Sequence, residues 1–398
     1  MGDARESVRK VEREHEPGRP GGCPVRRGAD GTWEVRGYAA AREVLRATDT
    51  VQAGLGIETV EKLPARVRRP VLYQDGPGHR EQRRQTARFF TPRRVDEHYR
   101  ELMTRVAEEQ TAALRTAGTA QLSDLSFTMA IEVVSDIIGL THSRPGLKSR
   151  LERFFPEEFG QPGLTSLRGL YWLLRQNTNW LRIHLADVRP AVRAHRKQER
   201  DDLISHLLAE GCSGAEILGE CLTYAAAGMV TTREFICVAA WHLFDDPELL
   251  ARYRAAEEPE RLDLLREILR LEPAVGRLAR RATAPMRVGE ASIGAGELLT
   301  VFVDEANADP DAVGRDPDLL RPGRLRELGP GPAGLAFGDG AHRCPGAAVA
   351  VLEADVLLSR LFALDGLRMT GRPRVSFKDE IGGYEIRELT VTVPRSAR

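Results

Sequence analysis

The sequence predicts a mainly α-helical single domain with a small β region, and three observations carry that prediction. From about residue 79 to 270 apolar residues recur at helical spacing with few strong breakers. Beyond 273 the texture changes to short β-like pieces such as MRVGEASIGAGELLTVFV. Neither an internal repeat nor a low-complexity linker divides the chain, so one core is expected, although 398 residues alone would allow two or three domains of about 150.

Taken in order, residues 1–29 are rich in charge, Gly and Pro and read as a charged, partly disordered arm, leaving 30–398 as the domain. TWEVRGYAAAREVLRA reads as a short strand followed by a helix. Helical segments follow: RELMTRVAEEQTAALRTA, FTMAIEVVSDIIGL, TSLRGLYWLLRQNTNWLRIHLADVRPAVRAHRKQ, DDLISHLLAE and EILGECLTYAAAGMVTTREFICVAAWHLF. A Gly/Pro-rich stretch, 309–346, carries little periodicity. So long an irregular stretch inside a compact domain is usually functional or disordered. The helix GAAVAVLEADVLLSRLFA and a pair of β-like segments end the chain.

Composition excludes several classes of function. Hydrophobic residues make up 42% of the chain, ample for a large core. Basic and acidic residues balance at 58 each, so no whole-molecule field favours nucleic acid or an anionic membrane. The N-terminus lacks an apolar signal core, and no run of about 18 uncharged apolar residues occurs. A cytoplasmic, unanchored protein is expected. Cys23, Cys212, Cys221, Cys237 and Cys344 are odd in number and widely spaced, so neither a disulfide framework nor a zinc site is indicated.

One cysteine stands apart. Phe337-Gly338-Asp339-Gly340-Ala341-His342-Arg343-Cys344-Pro345-Gly346 sets Cys344 in a glycine-rich loop directly before an apolar helix. The positive end of that helix and nearby backbone N–H groups favour a thiolate, and the glycines let the backbone approach a large flat ligand. A buried structural cysteine is the competing reading. The segment resembles the heme-binding signature of the cytochrome P450 family, Phe-x-x-Gly-x-His/Arg-x-Cys-x-Gly, at every defined position. That resemblance implies heme b (iron protoporphyrin IX) with Cys344 as the axial thiolate, which promotes O–O cleavage. It also implies that Phe337 shields the sulfur, that Gly340 and Gly346 let the loop pass under the porphyrin, and that His342 binds a propionate.

Other segments are similar to the family's at the expected places. Glu267-Ile268-Leu269-Arg270 matches its Glu-x-x-Arg, whose two side chains share a helix face. The resemblance adds Arg324 as a third member locking the pair to the loop before the cysteine. Propionates need cationic partners once out of water. His79 and Arg83, four residues apart, and Arg280 take the family's propionate-binding places. Leu222 to Thr232 resembles the oxygen-binding helix, with Thr231 as the oxygen-facing threonine and the small residues 225–228, Ala227 and Gly228 among them as site residues, against the ligand. Val230 replaces the acid that normally precedes that threonine. Gly334 stands where many relatives have histidine, with only a small effect on loop packing expected.

The resemblance implies the family's prism-like fold over roughly residues 30 to 395. Its substrate pocket would be lined by Phe154, Phe155, Tyr171, Tyr224, Met229, Val275, Leu278 and Ile381, with Leu55, Ile57, Phe159, Leu170, Trp172 and Tyr384 nearby. Arg277 and Glu234 are candidate polar handles. No Gly-x-Gly-x-x-Gly fingerprint follows a strand, so electrons come from outside. Arg80, Arg83, Arg84, Arg88, Arg93, Arg94 and Arg343 could dock an acidic ferredoxin or flavodoxin, itself served by an NAD(P)H reductase. The expected protein is a monomeric monooxygenase acting on a small apolar or aromatic metabolite of secondary metabolism. Val230 keeps open oxidative coupling, nitration or peroxide-driven chemistry, and a non-catalytic heme ligand-binding protein is the alternative outside enzymology.

Overall fold

The helical periodicity is realised as a stack of long helices, and the β-like pieces form one five-stranded sheet and three smaller ones, Met286–Val288 and Ala291–Ile293 making a hairpin of their own. The computed structural model describes residues 9–11, 23–54, 56–61, 67–155, 163, 166–327, 334–379 and 381–394. Leu55 and Phe159, expected at the pocket, lie outside the described residues. The elements used below are α1 (Tyr38–Arg46), α2 (Gly76–Thr86), α3 (Arg100–Ala117), α4 (Leu122–Ile138), α5 (Leu147–Phe154), α6 (Leu167–Ile183), α7 (Gly214–Asp245), α8 (Glu258–Leu271) and α9 (Ala347–Phe362). The main sheet contains β1 (Val25–Arg27), β2 (Trp33–Val35), β3 (Thr50–Ala53), β4 (Arg277–Ala282) and β5 (Leu298–Phe302) in the order β1-β2-β5-β4-β3. Only β2 and β5 run parallel; the other neighbours are antiparallel.

The boundary expected at residue 29 falls inside a hairpin. β1 pairs with β2, so the sheet begins at Val25, within the segment read as an arm. Val11 is buried in the main core, and Lys10 N–H donates to Glu272 at 2.5 Å. Charge and Gly/Pro content hid these contacts, because short edge strands carry little hydrophobic pattern.

α7 is the spine of the molecule. A capping box starts it, in which Ser213 Oγ accepts from Glu216 N–H and the Glu216 carboxylate accepts from Ser213 N–H. It is apolar nearly all round, as a central helix must be, and packs on α4, α8 and α9 within one continuous core. A smaller core lies between α1 and the sheet, built on Val35, Val44, Leu299 and Val301. β6 (Arg374–Lys378) and β7 (Gly383–Arg387) form a separate hairpin over α7. No described helix is long and apolar enough to cross a membrane.

Candidate active site

The cysteine loop is shaped by backbone constraints. Gly338 and Gly340 have φ of +68° and +66°, where a side chain is disfavoured. At Gly340 there is no room either: a Cβ would stand 2.2 Å from Leu45 O, at the end of α1. Cys344 N–H donates to Phe337 O at 2.8 Å and closes the loop. Asp339 fastens it to α1, accepting from Arg42 Nε at 2.9 Å, Arg46 Nε at 2.8 Å and Gly340 N–H at 2.8 Å. Burial would raise the Asp339 pKa, but these donors outweigh it and hold the carboxylate below its ordinary range.

The Cys344 side chain is accessible although protein surrounds it. On α7, Ala227 is the one exposed residue between 216 and 244, in the middle of a buried helix. A cavity of about 410 Å³ open to the surface is lined by His79, Arg80, Arg83, Arg84, Ala87 and Phe90 on and just after α2 and by Ala341 and Pro345 beside Cys344 in the chain. The thiol itself departs from expectation. Burial raises its pKa and outweighs the Gly346 N–H and the nearby Arg83 and Arg343 guanidiniums. The helix end and loop therefore do not make the thiolate by themselves; a coordinated metal deprotonates a thiol outright. A Cβ at Gly346 would stand 3.9 Å from Sγ.

Four basic side chains expected near one ligand do converge. His79 and His342 stack with ring centroids 4.2 Å apart. His342 Nε2 lies 2.8 Å from Asp75 Oδ1, whose other oxygen accepts from Gln52 N–H at 3.0 Å. Arg83 donates to Arg343 O, which ties α2 to the cysteine loop. Arg280 is 4% exposed and donates to Gln52 Oε1 at 2.5 Å and Ala279 O at 2.9 Å. Burial lowers its pKa to about 10 despite Asp75 nearby. Among the described residues this buried guanidinium makes no ion pair. His79 Nδ1 is buried with no hydrogen-bond partner, and burial, reinforced by His342 and Arg83, lowers its pKa to about 4. A buried guanidinium that makes no ion pair among the described residues and an orphaned imidazole nitrogen, both grouped with His342 around Asp75, fit the anionic edge of a heme. No cluster of three or more metal-ligating side chains occurs among the described residues.

On α7, Thr231 Oγ1 donates to Ala227 O at 2.6 Å, so its proton is committed while its lone pairs remain free to accept. Gly228 is not turned to the cavity: a Cβ there would come within 3.1 Å of Val134 Cγ2, and its smallness lets α7 approach α4. Val230 is half-buried, and no acid stands beside Thr231 in the chain. Sequence reasoning missed Glu353 on α9, an acid set in an apolar run. Burial raises its carboxyl to about 8, opposed by the Thr232 hydroxyl, and its Oε2 has no hydrogen-bond partner.

The Glu-x-x-Arg pair is at the centre of a lock. Glu267 and Arg270 are fully buried, and Arg324 is 1% exposed. Arg270 holds both Glu267 oxygens at 2.9 Å, and Arg324 Nε reaches Oε1 at 3.1 Å. Arg270 also donates to Asn307 O and Pro317 O, both at 2.8 Å. Arg324 donates to Val313 O, Arg315 O and Asp316 O between 2.8 and 2.9 Å. The irregular stretch from 309 onward is thus wound around two guanidiniums, which is why no periodicity announced it. Gly334 is more constrained than expected. With φ of +51° its Cβ would meet Asn307 Oδ1 at 2.3 Å, so a histidine there requires Asn307 to move.

The expected pocket lining divides. Phe154 and Phe155 pack at 4.7 Å and are half-buried, as are Val275, Leu278 and Ile381. Leu278 Cδ1 faces Gly338 of the cysteine loop, and Ile381 O accepts from Gly276 and Arg277 N–H. Tyr224 stacks on Phe90 at 5.6 Å; its hydroxyl approaches Thr86, which is committed to Gln82 O, and makes no hydrogen bond. Two residues do not belong. Met229 is 0% exposed in the core, and Tyr171 is 59% exposed because α6 buries the opposite stripe of Gly169, Asn179 and Ile183. Of the polar handles, Glu234 is committed elsewhere, whereas Arg277 Nε is buried without a hydrogen-bond partner. Glu234 accepts from Ile386 N–H, Arg233 and Arg387, and Arg277 lies over Phe302 at 5.2 Å.

Comparison with known proteins agrees with this geometry. The family model described as Cytochrome P450 matches residues 263–364. Erythromycin C-12 hydroxylase of Saccharopolyspora erythraea is 28% identical over 358 residues, 86% of this chain and 84% of that protein. A putative cytochrome P450 140 of Mycobacterium bovis is 33% identical over 59% of this chain and 52% of its own length. Among solved structures, CYP109E1 from Bacillus megaterium in complex with corticosterone superposes with a TM-score of 0.76 at 20% identity, covering 93% of this chain and 94% of that one. A mutant of P450 EryK in complex with erythromycin B gives 0.74 at 24% identity, covering 94% of each.

Proposed function

The chain is a bacterial cytochrome P450, and on that footing we propose that it binds heme b through Cys344 and hydroxylates a small, largely apolar or aromatic metabolite with electrons from a ferredoxin or flavodoxin. The family consists of heme monooxygenases, and relatives of this chain include hydroxylases of secondary metabolism. The observation that carries the reading is an accessible cysteine in a glycine-shaped loop, together with a buried guanidinium that makes no ion pair among the described residues and an imidazole nitrogen without a hydrogen-bond partner, both grouped with His342 around Asp75.

Heme, when bound, supplies the oxygen-activating chemistry; the residues do the rest. His79, Arg83, Arg280 and His342 would hold the propionates, the two guanidiniums by charge and the two imidazoles by hydrogen bonding, in place of the water those carboxylates lose. Phe337 would cover the sulfur side, and its carbonyl accepts from Cys344 N–H. Glu267, Arg270 and Arg324 keep the approach to the loop in place. Thr231, one helical turn from the exposed Ala227, would offer a hydrogen-bond acceptor to oxygen. Leu278, Val275, Ile381, Phe154, Phe155 and Tyr224 would exclude water around an apolar substrate.

The redox partner would meet Arg80, Arg88 and Arg343, which are exposed. The patch is narrower than its sequence suggested, since Arg84, Arg93 and Arg94 are engaged by Glu81, Glu97 and Asp201. Val230 supports a second reading, in which proton delivery is reorganised and peroxide replaces oxygen and electrons. The deciding experiment is turnover of a spectrally identified substrate. Product formed with NADPH, reductase and ferredoxin supports the monooxygenase; product with peroxide alone supports the second reading.

A further inference from the structure

The face of α6 that does not reach the pocket has a pattern of its own. Leu-Arg doublets recur at 167–168, 174–175 and 181–182, seven residues apart. Leu167, Leu174 and Leu181 are 88%, 59% and 58% exposed, with Tyr171 between them. A seven-residue repeat drifts only about 20° per repeat on an α-helix. The three leucines therefore form a nearly straight ridge about 21 Å long. The helix does not need this ridge to stay attached: Asn179 Nδ2 and Arg175 Nη2 on its inner side both donate to Arg153 O of α5.

Charge sets the chemistry of what could cover the ridge. Arg168 and Arg182 are exposed along one flank, Arg175 between them is turned to Arg153 O, and the exposed Arg189 extends the row past a π-type turn at His184–Val188. Between residues 167 and 195 the sole acid is Asp187, fully buried and held by Arg150 at 2.6 and 2.9 Å. A second copy laid on the ridge would bring no exposed carboxylate from its own α6 to meet these arginines. A helix lying in a lipid surface carries bases on both edges of its apolar stripe. Here the other edge is Leu170, Asn177 and His184, with no lysine or arginine. Heptad spacing with one charged flank is instead the pattern by which one helix recognises another of opposite charge.

We propose that this ridge docks an acidic amphipathic helix of a partner protein, leucine against leucine and carboxylate against the arginine row. This is an interface apart from the redox-partner patch, which lies on α2 and the cysteine loop.

The test uses full-length heme-loaded protein and a labelled three-heptad peptide with Leu at a and d and Glu at e and g, whose like charges prevent self-pairing. Anisotropy titration at low salt should show binding that weakens as salt rises, and no binding of the Lys counterpart. L174E/L181E should bind about tenfold more weakly, or not at all. R182E, which keeps the ridge and reverses one charge, should also bind the acidic peptide more weakly. Unchanged heme content and circular dichroism establish that both variants fold, which is expected because the altered side chains are exposed. The proposal is overturned if the acidic peptide does not bind or if L174E/L181E binds it like wild type. It is equally overturned if the variant instead loses binding to phosphatidylglycerol vesicles, or loses a dimer seen by sedimentation, without any peptide binding.

Discussion

Glu267→Ala should cripple folding, whereas the same change at Glu81 should not. Both acids pair with an arginine three residues on, Arg270 and Arg84. Glu81 and Arg84 have side chains 50% and 75% exposed, and water replaces the lost partner. Glu267 and Arg270 are at 0%, and Arg324, at 1%, shares the same carboxylate. Removing Glu267 deletes its contacts to Arg270 at 2.9 Å, to Arg324 at 3.1 Å and to Arg321 N–H at 3.1 Å. It leaves two buried cations held by carbonyls alone. Breaking a buried pair by removing one partner costs about 3–5 kcal/mol. That is at least about a fifth of a stability of about 5–15 kcal/mol, and most of one at the lower end. Guanidinium denaturation and heme-to-protein ratio are the assays. E267A should unfold at a much lower midpoint and retain little heme, while E81A matches wild type. Equal midpoints for E267A and wild type would refute the argument that the lock organises the cysteine approach.

Other expectations follow from single groups. Glu353 titrates near 8 when folded and near 4.5 when unfolded, so the unfolded chain sheds its proton first and stability falls as pH rises from about 4.5 to 8. E353Q should therefore melt higher than wild type at pH 8 and alike at pH 4.5; identical melting at both values would remove the buried acid. His79 has its folded pKa lowered to about 4, so the heme-free protein should lose stability as pH falls from about 6.5 toward 4, and His79→Asn should flatten that slope. With the hydroxyl of Thr231 gone, Thr231→Ala should release more peroxide and less product per NADPH, because positioned proton transfer is worth about 10²–10⁴ in rate; unchanged coupling would exclude the threonine. Val230→Asp should keep heme and turnover without improving coupling, as judged by the same stoichiometry.

The helical body was legible because long apolar periodicity at 122–138 and 214–245 is one-dimensional information. The cysteine loop was legible from its glycines, and Gly340 shows why, since any side chain there meets Leu45 O. What stayed hidden depends on distant partners. Asp75, Gln52 and Asn307 are ordinary polar residues whose roles arise only when β3, β4, α8 and the 309–346 stretch come together. Tyr171 and Met229 were misplaced for one reason: composition identifies an apolar residue, whereas the phase of its helix decides what that residue faces. Burial at Cys344 reversed the expected direction of its pKa, because the sequence displays the helix end and not the protein packed around the sulfur.

The central claim is that Cys344 is the axial ligand, and the reduced carbon-monoxide difference spectrum of heme-loaded protein tests it most directly. Wild type should give the strongly red-shifted Soret band of thiolate ligation, and Cys344→Ala should bind less heme and lack that band. A wild-type thiolate spectrum from Cys344→Ala would contradict the account.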